Sequence, residues 1–94
     1  MEIKHVEGRD RGKIMVYALS TCMWCRKTKN LLDKLGVAYS FVDVDLLDAY
    51  EKERVKVEVK RWNPQGSYPT IVVGEERCIC GFDETEIRRA VGDA

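Results

Sequence analysis

The spacing of apolar residues changes repeatedly along the chain, and each change predicts an element. Lys13–Leu19, KIMVYAL, is a short apolar run rich in strand formers and preceded by Gly12, as a buried strand would be. From Met23 to Leu35 the period lengthens. Thr28, Leu31, Leu32 and Leu35 recur at i, i+3, i+4 and i+7, while Arg26, Lys27, Lys29, Asn30, Asp33 and Lys34 take the other face. That spacing predicts an amphipathic helix over 23–35, stopped by Gly36 at its C-terminal cap. Val37–Asp45 returns to strand spacing, with Val37, Tyr39 and Phe41 on one face. Leu46–Trp62 is divided. Its VKVEV stretch alternates as a strand does, and β-branched residues suit strands. Its length and its run of Glu, Lys and Arg nevertheless predict a helix that carries Leu47, Tyr50, Val55, Val59 and Trp62. NPQGSYP is a loop, and TIVVG and RCICG predict two strands joined at Gly74-Glu75-Glu76 into a hairpin. Asp83 and Glu86 at capping-box spacing, with Phe82 and Ile87 at staple spacing, open a last helix whose buried stripe is Ile87, Ala90 and Val91. The predicted order is β-α-β-α-β-β-α, an α/β fold with a four-stranded mixed sheet flanked by helices. Residues 1–12 read either as an arm or as one extra N-terminal edge strand through EIKHV.

Composition narrows the classes of function. A chain of 94 residues without an internal repeat, a low-complexity tract or a linker is expected to be one domain over 1–94. Its 45% hydrophobic and 34% charged residues are ordinary for a soluble globular protein. Sixteen basic residues balance sixteen acidic ones, so neither nucleic acid nor a charged membrane surface is an expected partner. No apolar run reaches membrane-spanning length, and MEIKHVEGRDRGK is too polar for a secretory leader, so a cytoplasmic location is expected. In a reducing cytosol, paired thiols are more often catalytic or metal-binding than structural.

Cys22 and Cys25 are the main chemical signal, three positions apart where the first apolar run gives way to the first helix. A sulfur at a helix start meets backbone N–H groups that lack intrahelical partners, at the positive end of the helix dipole. Both favour the thiolate, which is the attacking species. Arg26 and Lys27 add positive charge nearby. Cys25, one turn on, is placed to attack a mixed disulfide on Cys22 and close a ring. Cys22 is therefore the expected nucleophile and Cys25 the resolving thiol. A zinc site built from these two with Cys78 and Cys80 is a competing reading, since four thiolates are a legitimate zinc set. Against it, zinc-binding C-x-x-C usually sits in a tight knuckle with glycine following, and C-x-C in an apolar strand has no turn to gather thiols around a metal. A structural disulfide between Cys22 and Cys25 would close too short a loop to remove much unfolded-state entropy.

STCMWC after the first strand, SYPT opening the third, and GFDETEI at the last helix resemble, in that order, the glutaredoxin family of the thioredoxin fold. Among its members the chain is most similar to the short glutaredoxin-like proteins of archaea and bacteria, over about Lys13 to Val91. The resemblance implies an enzyme, a thiol–disulfide oxidoreductase that requires no cofactor. Its expected co-substrate is glutathione or another small thiol, or its electron donor a reductase of the thioredoxin-reductase type. Its expected targets are disulfide-containing proteins, and a monomer is expected. The resemblance also implies a cis peptide bond between Tyr68 and Pro69, with Pro69 facing the cysteine pair and the backbone of Tyr68 pairing with bound substrate. Gly81, Phe82 and Asp83 occupy positions where the family's last helix presents amides to a substrate carboxylate. Asp83, as a cap, competes for the same amides. Thr21, Met23 and Trp24 complete the substrate-facing set. Some glutaredoxins instead hold an iron–sulfur cluster between two subunits through the first cysteine and two thiol molecules, which is the alternative function the resemblance implies.

The chain departs from the family pattern at informative places. Met23 stands where many glutaredoxins have proline, which leaves the first helical turn less stiff, and Trp24 replaces the common tyrosine. Leu19 occupies the position where glutathione-using members generally carry a lysine, and QGSYP lacks the basic residue usual before the cis-proline motif. A glycine carboxylate would lose its charge partners there, which points toward another small thiol or a reductase. Lys60 and Arg61, at the end of the second helix, are the candidate replacements. Cys78 reads as a small hydrophobe in its strand, and Cys80, immediately before Gly81, as a candidate auxiliary redox thiol. His5 reads as a surface residue.

Overall fold

The computed structural model describes residues 2–92, so that Met1 of the N-terminal segment, Asp93 and Ala94 lie outside the described residues. The elements are β1 (Lys4–Val6), β2 (Ile14–Ala18), α1 (Met23–Leu35), β3 (Tyr39–Asp43), a short 3-10 turn (Val44–Leu46), α2 (Ala49–Trp62), β4 (Thr70–Val73), β5 (Arg77–Cys80) and α3 (Glu84–Ala90). They build one five-stranded sheet in the order β1-β3-β2-β4-β5. The extra N-terminal strand forms: Lys4, His5 and Val6 pair antiparallel with Phe41, Ser40 and Tyr39. β2 and β3 run parallel, and such a pair needs a crossover, which α1 supplies. β4 and β5 then join antiparallel, as the hairpin reading expected.

Each helix forms where its ends are satisfied. The N–H of Gly36, at φ 68, closes α1 on the carbonyl of Asp33 at 3.1 Å, a left-handed stop that only glycine makes without strain. The second helix begins later than its apolar residues suggest. The Asp48 carboxylate accepts from the Glu51 N–H at 2.8 Å and so sets the start at Ala49, while Val44–Leu46 stays a 3-10 turn. VKVEV is helical because Val55 and Val59, four apart, are buried together, whereas Val57 is exposed. Tyr50, expected on the buried face, is exposed, and the Arg54 guanidinium lies over its ring at 5.7 Å.

Two apolar layers flank the sheet. One packs Ile14, Val16, Ala18, Ile71 and Ile79 against Leu31 and Leu32 of α1 and Ile87 of α3. The other packs Val42 and Val44 against Val55 and Val59 of α2, with Met15 and Tyr17. Burying a side chain such as Leu32 fully is worth about 1.5–3 kcal/mol. Together the layers anchor the start of α1 beside the loop that enters β4. Among the described residues, no helix is long and apolar enough to cross a membrane.

Candidate functional site

Cys22 is the N-cap residue of α1. Its backbone is extended, at φ −86 and ψ 121, and its Sγ accepts from the N–H of Cys25 at 3.2 Å. The carbonyl of Cys22 already takes the Arg26 N–H at 3.0 Å, so the sulfur sits over the first open amides of the helix. The neighbouring Cys25 is fully buried, and its Sγ accepts from the Leu19 N–H at 3.5 Å. Burial, followed by its own hydrogen bond to Cys22, pushes the Cys25 thiol up to about 12. One sulfur is thus half-open and held by an amide, and the other is enclosed and protonated. That asymmetry is the site's central feature.

The approach to α1 is clamped from the end of β3. Ser20 donates from its N–H to Asp45 at 2.8 Å and from its hydroxyl at 2.5 Å. Those two bonds, the hydroxyl first, hold the Asp45 carboxyl below its usual range. Lys29 pairs with Asp43 at 2.9 Å, lies 4.1 Å over the Phe41 ring, and its charge acts on Cys25 in the direction that favours the thiolate. The contacts of Ser20 with Asp45 and of Lys29 with Asp43 and Phe41 do not show in local spacing, because each joins residues far apart in the chain.

At the entry to β4, the Tyr68–Pro69 peptide bond is cis and Pro69 is fully buried. Burial, and then the nearby Cys25, raise the Tyr68 hydroxyl above its usual range. The Gly81 N–H donates to the Pro69 carbonyl at 2.8 Å, which ties the end of β5 to this loop, and Gly81 takes φ 89 to turn away from the strand. Phe82 then stacks on Trp24 with ring centroids 5.8 Å apart. Trp24, Tyr68, Pro69, Gly81 and Phe82 line a shallow pocket of 180 Å³. Four of the expected substrate-facing residues therefore meet around Trp24. Met23 is exposed beside them, and so is Thr21.

Asp83 is the N-cap of α3, and its carboxylate accepts from the Glu86 N–H at 3.1 Å. With Glu84 and Glu86 in the first turn, the start of this short helix is acidic. Positive charge lies elsewhere. A cavity of 470 Å³ bounded by Leu19 and Tyr68 is lined by Lys52, Lys56 and Lys60. Of the two expected replacements, Lys60 faces this cavity, and Arg61 pairs along its helix with Glu58 at 3.3 Å. The i, i+4, i+8 spacing of the three lysines is visible in the sequence, but only the fold places them beside Tyr68. The four cysteines do not gather: among the described residues, no three His, Cys, Asp or Glu side chains are grouped as a metal site requires.

Residues 14–78 match the family model for glutaredoxin. The chain is 52% identical to methanoredoxin from Methanosarcina acetivorans, a solved structure, with TM-score 0.88 over 90% of each chain. It is 49% identical to the glutaredoxin from Methanosarcina mazei Go1, with TM-score 0.90 over 98% of this chain and 89% of that one. A glutaredoxin-like 8.6 kDa protein in the rubredoxin operon of Clostridium pasteurianum is 35% identical over 83% of this chain and 96% of its own length. The mixed sheet and its three helices are accordingly the thioredoxin-type fold that the resemblance implied.

Proposed function

We propose, from the premise that this chain belongs to the glutaredoxin family and is a thiol–disulfide oxidoreductase, a dithiol mechanism carried by the unlike settings of Cys22 and Cys25. The Cys22 thiolate attacks one sulfur of a substrate disulfide. A mixed disulfide forms on Cys22 and the other substrate sulfur leaves as a thiolate. Cys25 then attacks the Cys22 sulfur, closing the Cys22–Cys25 disulfide, and its proton passes to the second departing thiolate. Two equivalents of a small thiol return the pair to the dithiol. The hydrogen bond that the Cys25 N–H donates to the Cys22 sulfur and the burial of Cys25 support this order. Burial, and then its hydrogen bond to Cys22, keeps the Cys25 thiol protonated well above neutral pH, so Cys25 does not compete for the first attack.

The substrate lies in the pocket between Trp24 and Tyr68, its backbone along the cis Tyr68–Pro69 segment, with Thr21, Met23, Gly81 and Phe82 at its edges. Asp83 serves as the cap of α3. The charged end of the small thiol points away from that acidic helix and toward Lys52, Lys56 and Lys60. The whole chain acts as one glutaredoxin-like domain, a monomer in the cytoplasm, on disulfide-containing proteins. The test is reduction of an artificial protein disulfide with glutathione, other small thiols and a thioredoxin reductase as separate electron sources. Turnover with at least one acidic thiol, abolished by Cys22→Ser, is expected. Turnover that survives Cys22→Ser refutes the mechanism.

A further inference from the structure

Cys78 and Cys80 take no part in the exchange between Cys22 and Cys25. They flank the core residue Ile79 on β5, point to the face of the sheet opposite to it, and hold their sulfurs 3.4 Å apart. That face is open: Cys80 is exposed and Cys78 half-buried. Among the described residues, the layer under α2 takes no side chain from β5.

A disulfide is the obvious use of two such thiols, and the strand spacing opposes it. Alternate residues of a strand stand about 6.8 Å apart, with their Cβ atoms side by side on one face. A disulfide needs those Cβ atoms within about 3.5–4.5 Å of each other. Bringing the sulfurs from 3.4 Å to a bond of about 2.05 Å would therefore contract the strand. Contraction is resisted, because all four residues of β5 are in register with β4 and the central Ile79 is buried opposite Ile71.

An atom placed between the sulfurs meets no such obstacle. Two thiolates bound to one cation through bonds of about 2.3 Å stand about 3.8 Å apart at a tetrahedral angle, and further apart as that angle opens. Small outward rotations of both side chains reach this range with the backbone unmoved. Coordination number then selects the ion. Since no third potential ligand joins them among the described residues, the pair does not serve zinc, which takes four ligands in structural sites. Thiolates select soft cations, and Cu(I) is the one that accepts two in near-linear geometry.

We propose that Cys78 and Cys80 form a second site, independent of Cys22 and Cys25: a two-thiolate site for Cu(I) on the open edge of the sheet. Binding exchanges two thiol protons for one Cu(I), without any change of oxidation state.

The test uses Cys22→Ser/Cys25→Ser protein, in which the C-x-x-C motif cannot take the ion. Cu(I) is titrated anaerobically against a colorimetric chelator, and copper X-ray absorption reports the ligands. One equivalent bound through two sulfurs is expected. Adding Cys80→Ser, at an exposed position, should abolish it while the circular dichroism spectrum stays unchanged, and Cys78→Ser should do the same. No binding in the parent protein overturns the proposal, as does binding that survives either serine. Air oxidation that quantitatively joins Cys78 to Cys80, read as a loss of two hydrogens by mass, also overturns it, because the strand would then be able to close.

Discussion

Replacing Asn63 asks whether one buried side chain holds the loop that carries Tyr68 and Pro69. Asn63 is 2% exposed at the end of α2. Its Nδ2 donates to the Ser67 hydroxyl at 3.0 Å and to the Thr70 hydroxyl at 3.1 Å, with the Ser67 carbonyl at 3.3 Å. Its Oδ1 accepts from the Gln65 N–H at 3.2 Å. Thr70, also buried, donates in turn to the Ser67 carbonyl at 2.8 Å. Asn63→Ala removes about three effective hydrogen bonds, because two amide protons serve three acceptors only in part. At about 1 kcal/mol each, the loss of stability is about 2–4 kcal/mol. For a chain of this size each kcal/mol lowers Tm by about 4–8 °C. Urea unfolding followed by tryptophan fluorescence should show a lower midpoint with an unchanged slope. Thr70→Val alone should cost about 1 kcal/mol, and less once Asn63 is gone, with a coupling of about 0.5–2 kcal/mol. The KM for a protein disulfide should also rise in Asn63→Ala at temperatures where the variant is folded. A loss below about 0.5 kcal/mol, or strict additivity with Thr70→Val, would refute the reasoning.

Other outcomes rest on the same geometry. Gly36→Ala should cost about 1–2 kcal/mol from its left-handed backbone alone, since a Cβ there would meet no atom within 4 Å; urea unfolding with no loss would contradict this. The Cys25 thiol keeps its proton in the folded state up to about 12 but loses it near its ordinary 9.0 when unfolded, so its contribution is intact below that value and declines as pH rises above it. The gap between the unfolding midpoints of the native chain and Cys25→Ala should therefore shrink in alkaline solution, and parallel curves would count against a buried, protonated thiol. Changing Lys52, Lys56 and Lys60 together to Gln should raise the KM of an acidic small thiol several-fold and leave that of an uncharged thiol unmoved. Equal effects on both would remove the lysine cavity from the site.

The parts of the fold legible in the sequence are those set by local rules. Met23–Leu35 with its Gly36 stop, the β4–β5 hairpin and the Asp83 cap each follow from spacing within a few residues. The start of α2 is not legible in the same way, because Leu46 and Leu47 continue the apolar pattern whereas the Asp48 cap decides the boundary. Tyr50 differs for a related reason: its periodic position suits a helix, but the helix turns that position to solvent. In the site, Cys22 and Cys25 are legible from their place before a helix, and Pro69 and Gly81 through family motifs. The Ser20–Asp45 clamp and the Asn63–Thr70 network are not, since chain spacing carries no record of which polar side chains meet across the fold.

The order of attack is tested most directly by trapping its intermediate. Cys25→Ser protein that also carries Cys78→Ser and Cys80→Ser is exposed to the disulfide of a small thiol, quenched with acid and mapped by mass spectrometry. One thiol adduct on Cys22 is expected, with none on Cys25 in the matching Cys22→Ser protein over the same time. Rapid adduct formation on Cys25, or a Cys22 that stays unmodified, would contradict an open attacking sulfur at the helix cap and an enclosed resolving one behind it.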